Sequence, residues 1–539
     1  MIEPGSSSKN VRGREMRDAH DRLKYLTQVS KDLSSEHRIE RLLETILDVA
    51  QNITHADGGT LYRVSQDDKL VFEIVRTNSL GVIMGGTSGV PVAIKPIELH
   101  DTQGQPNLSM VASYSVLKDE TVNIADAYSA QGFDFSGTRK FDQRTGYRST
   151  SFLTVPMKNH ENEIIGVLQL INACDVVAGA IIPFSEADQQ FTEALASQAA
   201  MALTNRSLIS QLQALFESFV GLINKAIDEK SPHTSRHCMR VPELTMMLAE
   251  AAHDVNYGKL SNFQMNEKDR YELKLAGLLH DCGKITTPVH VIDKPTKLSA
   301  IFDRIELIDS RFEILRRDIE LKKFKSENIY PTNDALAELE NDRQFLHRMN
   351  IGAEHIDPED VARIAQISQR SYVDSTGKIC PLLTADEAKN LSVSRGTLTQ
   401  EERQTINHHI VATIEMLEAL PWPKHLAKVP EYAGGHHERM DGRGYPRGLR
   451  GENMSIQARV MAIANIFEAL TSTDRPYKSA KSLSESMEIL GKFSLNGHID
   501  PDLFDVFIGE KVYLKFAEKF LDPAQIDSVD HNKIPGYFG

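Results

Sequence analysis

Apolar positions near the start of the chain recur at helical spacing. Met16, Leu23, Leu26, Val29 and Leu33 share a helix face, after a stretch over residues 1–15 that is expected to be disordered. Ile39, Leu42, Leu43, Ile46, Leu47, Ala50 and Ile53 make a wider stripe on a second helix, and Asp57-Gly58-Gly59 is expected to close it as a turn. The period then shortens. Residues 60–64 and 70–75 read as strands around a polar turn at 65–68, and 91–98 reads as extended. Residues 152–157 and 164–171 read as two strong strands joined by a polar connection. Helices followed by paired strands predict an α+β domain over residues 16–183.

Helical spacing then returns and persists. Ser185 reads as an N-cap with Asp188 three positions later, opening a connecting helix over 184–228. Along it Met201, Asn205, Leu208, Leu212, Leu215, Phe219, Leu222 and Ala226 follow alternating steps of four and three, a coiled-coil seam in which Asn205 sets the register. The seam predicts a parallel homodimer; the alternative is a helix packed on its own domain. Pro232 breaks the helix. Stretches at 241–252, at 272–280 and after 399 read as further amphipathic helices. An insertion at about 299–397 carries one stripe at Ile301, Ile305, Ile308, Phe312, Leu315 and Ile319 and another at Leu336, Leu339 and Leu346. It reads as a helical hairpin that either extends a dimer contact or lids a cleft.

The length of 539 residues allows roughly two to four domains. A net charge of −14 argues against duplex nucleic acid as a partner, while a locally positive cleft still admits a small dianionic nucleotide. Cys174, Cys238, Cys282 and Cys380 are scattered, with no Cys-x-x-Cys pair, which favours a reducing compartment. No apolar run approaches the ~18–20 residues that span a bilayer. A cytoplasmic protein with no membrane partner is therefore expected.

The chemistry lies in histidines and carboxylates. His280-Asp281 closes an apolar helical run, offering a nitrogen and an oxygen ligand from a rigid end, with Lys284 in reach of a bound phosphate. His408-His409 lies on another amphipathic helix, and Asp228 and His237 flank a Ser-Pro-His-Thr turn. His436-His437 leads into a glycine-rich turn that ends in Gly-Tyr-Pro. Adjacent histidines alternate faces on a strand, but from a helix end they reach two different ions. The candidate ligands are Asp228, His237, His280, Asp281, His409, His436 and His437. Mixed imidazole and carboxylate donors suit iron, manganese or zinc, and not calcium or a zinc-thiolate knot.

Five separate blocks carry a resemblance. They are His280-Asp281 with Gly283-Lys284, His436-His437-Glu438, Asp441-Gly442-Arg443-Gly444-Tyr445-Pro446, Asp228 to His237 with Arg240-Val241, and Asp474-Arg475-Pro476-Tyr477-Lys478. In order and local sequence they resemble the HD-GYP subgroup of the HD phosphohydrolases. The resemblance implies an all-helical domain over 229–539, two or three divalent ions (iron, or alternatively manganese or zinc) and hydrolysis of a cyclic dinucleotide, typically cyclic di-GMP to linear pGpG and/or GMP. It implies ligand roles for His237, His280, Asp281, His409, His436 and His437, with His408 as an exposed neighbour and Asp228 serving a third ion. Lys284 would stabilise developing negative charge beside Asp281. Asp441, Gly442, Gly444 and Tyr445 would shape the cleft loop. Arg475, Tyr477 and Lys478 would touch substrate, although Arg475 reads equally as a buried ion-pair residue. Lys294 reads as a phosphate contact or as a solvated loop charge. One position departs: Asn465 stands where the family carries a ligand aspartate, so an amide oxygen replaces a charge, with Glu468 one turn on. Two alternatives stay open, a sensor that binds a cyclic dinucleotide without cutting it, and a hydrolase of a hybrid cyclic GMP-AMP.

Thr138-Arg139-Lys140-Phe141-Asp142, Thr145 to Ser149, Leu153 to Met157 and Gly166 to Asn172 resemble a GAF domain. The Lys-Phe-Asp segment is similar to part of a signature of cyclic-nucleotide-binding GAF domains, which implies cAMP or cGMP as a ligand. Lys140 and Asp142 read either as a salt bridge locking a loop or as a surface pair anchored by Phe141. Regulation of the hydrolase by a GAF ligand is the expectation that follows.

Overall fold

A computed structural model describes residues 36, 38–231, 236–325, 332–353, 355–473 and 480–537. The start at 1–15, the early helix at 16–33, the break at Pro232, and Arg475, Tyr477 and Lys478 lie outside the described residues. Two compact units divide between Leu215 and Phe216.

In the first unit, α1 (Ile39–Thr54) buries Leu42, Leu43, Ile46, Leu47 and Ala50. The helix stops at His55, whose φ of 51° is left-handed. An antiparallel sheet follows: β1 (Ala56–Val64), β2 (Lys69–Thr77), β3 (Val82–Gly85), β4 (Ile97–Glu98), β5 (Val122–Ile124), β6 (Phe152–Lys158), β7 (Ile164–Cys174) and β8 (Ile181–Ile182). The order is β3-β2-β1-β7-β6-β5, with β4 on β2 and β8 on β7. Gly58 and Gly59 are therefore not a turn. They lie within β1 because α1 packs hard on that strand: a Cβ on Gly59 would sit 2.6 Å from Leu47 Cδ1. The strands at 152–157 and 164–171 pair with each other, Val155 opposite Leu168. Alternation sorts the two faces. Leu61 and Leu168 join the core under α1, while Tyr62 and Val167 join Ala112 of α2 (Val111–Lys118) on the other face.

The Lys140–Asp142 salt bridge does not form. Lys140 is exposed on α3 (Ser136–Thr145), whereas Asp142 is buried and accepts hydrogen bonds from Tyr128 Oη (2.8 Å), Ser149 N (2.9 Å) and Ser149 Oγ (2.8 Å). A buried carboxylate takes the nearest fixed donors in preference to a long, solvated ammonium. Phe141 is half-buried and meets Tyr147 edge-on at 6.5 Å.

The division between the units falls within α4 (Glu186–Lys230). Ser185 caps it: Ser185 Oγ accepts from Asp188 N (3.1 Å) while Asp188 Oδ2 accepts from Ser185 N (3.0 Å). Its last turns belong to the second unit, where Val220 and Ile227 enter the core. The seam residues lie on a different face. Leu208 is 45% exposed, Leu212 64%, Phe219 56% and Leu222 61%.

The second unit is helical. α5 (His237–Asp254), α6 (Glu267–Leu279), α12 (Gln400–Glu418), α13 (Val429–Gly434), α14 (Ile456–Thr471), α15 (Leu483–Leu495), α16 (Pro501–Gly509) and α17 (Val512–Phe520) contribute to its packing. After the short α7 (Val289–Ile292), the insertion forms more than a hairpin. α8 (Ile305–Lys325), α9 (Thr332–Asn350), α10 (Pro358–Ser368), a β9–β10 hairpin (Ser371–Val373 with Ile379–Pro381) and α11 (Ala385–Leu391) enclose their own core of Ile308, Phe312, Leu346, Ile364, Leu382 and Leu391. Ile301 stands before α8 and is 98% exposed, so it leaves the expected stripe. Lys294 corrects another expectation. It is 1% exposed, and its ammonium donates to Asn390 Oδ1 (2.9 Å) and to both Glu402 oxygens (2.8 Å). All three N–H donors are taken inside the protein, which leaves none for a phosphate. Beside it the buried Lys297 donates to Leu391 O (3.0 Å), and Thr397 Oγ1 donates to Lys294 O (2.9 Å). These lysines fasten the insertion to α12. No helix of the described residues is long and apolar enough to cross a membrane.

Candidate metal centre

The centre assembles at helix ends. His280 follows the last residue of α6, and Asp281 starts a tight turn over Cys282–Thr286. Gly283 in that turn touches α12: its N–H donates to Thr413 Oγ1 (2.9 Å), and a Cβ on it would lie 2.0 Å from His409 O. This close approach brings His409 to Asp281. His237 opens α5, and His436-His437 follow α13. His408 is exposed.

Hydrogen bonds aim the rings. His280 Nδ1 donates to Gly277 O (2.8 Å), His409 Nδ1 to Ile406 O (2.6 Å) and His436 Nδ1 to Ala433 O (2.6 Å). A carbonyl only accepts, so the proton sits on Nδ1 and Nε2 presents a lone pair. His237 differs, because its Nδ1 meets the Glu468 carboxylate at 2.5 Å.

Two groups of potential ligands result, His237 with His280 and Asp281, and His409 with His436 and His437; the ligand atoms within each lie within 4.8 Å of one another. Asp281 stands between them. Its Oδ2 is 3.3 Å from His237 Nε2 and 3.2 Å from His280 Nε2, while Oδ1 is 3.3 Å from His409 Nε2. The rings of His280 and His436 lie 4.9 Å apart and those of His436 and His437 4.1 Å. Lys284 Nζ is 2.7 Å from Asp281 Oδ2.

The electrostatics fit cation binding. Burial and the imidazoles of His437 and His280 hold His436 well below the ordinary histidine range. Burial and His409 act likewise on His437. Both rings are thus neutral donors. Burial opposes ionisation of Asp281, but His280 and Lys284 outweigh it and keep that carboxyl well below its usual range. His436 Nε2 and His409 Nε2 are buried without a hydrogen-bond partner among the described residues. Orphaned buried lone pairs facing a carboxylate are costly unless a cation meets them. Imidazole and carboxylate donors without thiolates suit a divalent transition-metal ion.

The loop over the centre is fixed from below. The buried Glu438 accepts from Arg447 N (2.7 Å) and Leu449 N (2.8 Å). Asp441 pairs with Arg439 and accepts from Arg443 N, so it braces the loop and does not face the histidines. Gly442 has a φ of 78°, and a Cβ on Gly444 would lie 2.5 Å from Glu438 Cα. Tyr445 stacks on His437 with ring centroids 4.8 Å apart, and burial pushes its hydroxyl up to about 12.

Asp228 lies outside both ligand groups, near the end of α4; burial, with Glu229 adding to it, pushes its carboxyl up to about 6. Asn465 is buried on α14, one turn before Glu468. Sequence reasoning placed Glu468 beside Asn465 but missed its contact with His237, and missed Glu438 as the anchor of the loop. Neither partner is adjacent in sequence, and no spacing signals them.

The GAF domain family matches residues 38–203, and HD domain families match 234–367 and 383–503. The chain is 48% identical over 291 residues to 3'3'-cGAMP-specific phosphodiesterase 1 of Vibrio cholerae, an overlap of 54% of this chain and 41% of that protein. It is 30% identical over 230 residues to a probable cyclic di-GMP phosphodiesterase of the same organism, 39% of this chain and 50% of that protein. It is 35% identical over 147 residues to a cyclic di-GMP phosphodiesterase of Thermotoga maritima, 26% of this chain and 38% of that protein. The chain spans half or less of the length of these relatives. A GAF domain thus precedes an HD domain in this chain.

Proposed function

We propose that this GAF–HD chain is a metal-dependent phosphodiesterase of the HD-GYP type that hydrolyses a cyclic dinucleotide, cyclic di-GMP, to linear pGpG and/or GMP. The observation that carries the reading is the convergence of His237, His280, His409, His436 and His437 on Asp281 beneath the Tyr445 loop. His237, His280, Asp281, His409, His436 and His437 would hold two divalent ions, iron being favoured, with Asp228 and Asn465 as candidates for further contacts. Bound ions would lower the pKa of an attacking water and neutralise phosphate charge.

The chain's own residues do the rest. Asp281 holds the two ligand groups in register. Lys284 offers its ammonium beside that carboxylate, where negative charge develops on the phosphate. Tyr445 roofs His437 and limits water on that side. Arg475 and Lys478 are proposed to meet the substrate. The exposed seam supports a parallel homodimer through α4, and a cyclic nucleotide at the GAF domain would alter the rate.

A second reading takes 3'3'-cGAMP as substrate, favoured by the 48% identity to an enzyme named for it. Incubation of the metal-replete chain with each cyclic dinucleotide, followed by ion-exchange separation of the products, tests both readings. Linear products that vanish in Asp281→Ala and His436→Ala are expected. An intact substrate in both incubations overturns the enzyme in favour of a non-cutting sensor.

A further inference from the structure

We propose that Glu468 is a positioning residue that sets the aim and donor strength of His237, supplying through an imidazole the negative charge that Asn465 lacks one turn earlier. This inference rests on the metal-dependent reading above. His280, His409 and His436 are each oriented by a neutral carbonyl of the preceding turn, Gly277, Ile406 and Ala433. His237 opens its helix and takes its partner from α14 instead, with Glu468 Oε2 at 2.5 Å from Nδ1. Its Nε2 then faces Asp281 and lies 3.4 Å from His280 Nε2, inside the ligand group. Glu468 is 1% exposed and is not itself a member of either ligand group. Its other oxygen lies 3.6 Å from Arg240 Nη1, so the carboxylate is also steered from α5, three residues beyond His237.

The physical consequence follows from the acceptor. A ring that donates Nδ1–H to a carboxylate is a stronger Nε2 donor than one that donates to a carbonyl. Asn465 and Glu468 share one face of α14, three residues apart. Glu468 brings its charge to the ligand group at one remove, through His237.

The full chain carrying Glu468→Gln keeps the shape and an acceptor oxygen but loses the charge; Glu468→Asp keeps the charge and retracts it by one methylene. Each demetallated protein is titrated with Mn2+, bound ions per chain are counted by elemental analysis, and the visible absorption of the Co2+-loaded form is recorded. The expected result is that Glu468→Gln weakens binding by about 10–100-fold and shifts the Co2+ band, while Glu468→Asp retains clearly more affinity than Gln. Wild-type affinity and spectrum in Glu468→Gln, or equal losses in Gln and Asp, would overturn the proposal. A wild-type chain that neither binds Mn2+ nor cuts a cyclic dinucleotide overturns the phosphodiesterase reading itself. A wild-type chain that does both while Glu468→Gln matches it overturns only the role of Glu468.

Discussion

Gly283→Ala tests how the centre is held together. The added methyl would lie 2.0 Å from His409 O, 2.5 Å from Thr413 N and 2.7 Å from Thr413 Oγ1. A carbon and a carbonyl oxygen settle at about 3.3 Å. The Cys282–Thr286 turn and α12 must therefore separate by roughly 1.3 Å on that basis. Neither side yields easily, since backbone meets backbone. Overpacking of this kind costs about 1–3 kcal/mol, and the strained Gly283–Thr413 hydrogen bond adds about 1 kcal/mol. The expected loss is about 2–4 kcal/mol in urea denaturation of the metal-free chain. The same shift carries His409 away from Asp281. A misplacement of about 1 Å near reacting groups costs on the order of 100-fold in rate, so hydrolysis falls further than stability alone accounts for. A variant within about 1 kcal/mol of wild type that retains its full metal complement refutes the reasoning, because such a result requires that the turn and α12 do not meet.

Lys294→Met should destabilise the second unit by about 2–4 kcal/mol, since it strands Glu402 and Asn390, while KM for a cyclic dinucleotide stays unchanged; a raised KM at unchanged stability would return Lys294 to the phosphate. Asp228→Asn gives a pH signature in metal-free buffer. The folded carboxyl titrates near 6 and the ordinary value is 3.8, so the fold keeps a proton between those values and holds an unfavourable charge above them. Asn removes that burden, and the variant should gain thermal stability relative to wild type as pH rises from 3.8 to about 6, then plateau; a flat difference refutes it. Gly221→Ala on α4 meets no heavy atom within 4 Å and should stabilise by about 0.5–1 kcal/mol. A loss measured by thermal unfolding would mean that another surface packs there.

The sequence made some of this legible, and the reasons differ by element. The Ser185–Asp188 cap and the β6–β7 pair depend on neighbours in sequence, and both form. The candidate histidines stood out because their local blocks are distinctive; of the adjacent pair, His409 is buried and His408 exposed. Contacts set by distant residues were not legible. Lys294 looked like a solvent-side cation because Glu402 lies 108 positions later. Gly58-Gly59 looked like a turn because nothing local announces that Leu47 packs on it. Asp142 chose Tyr128 and Ser149 over Lys140, a competition between donors that only the folded sheet decides.

The hydrogen bond from Thr397 Oγ1 to Lys294 O joins positions 103 apart in sequence. The described residues between them enclose a hydrophobic core of their own, closed at this neck like a bead on a loop. Exchanges confined to Ile308, Phe312 and Leu346 should therefore spare the histidine cluster, whereas a cut at the neck takes Asn390 from the buried Lys294 and reaches the scaffold through Glu402.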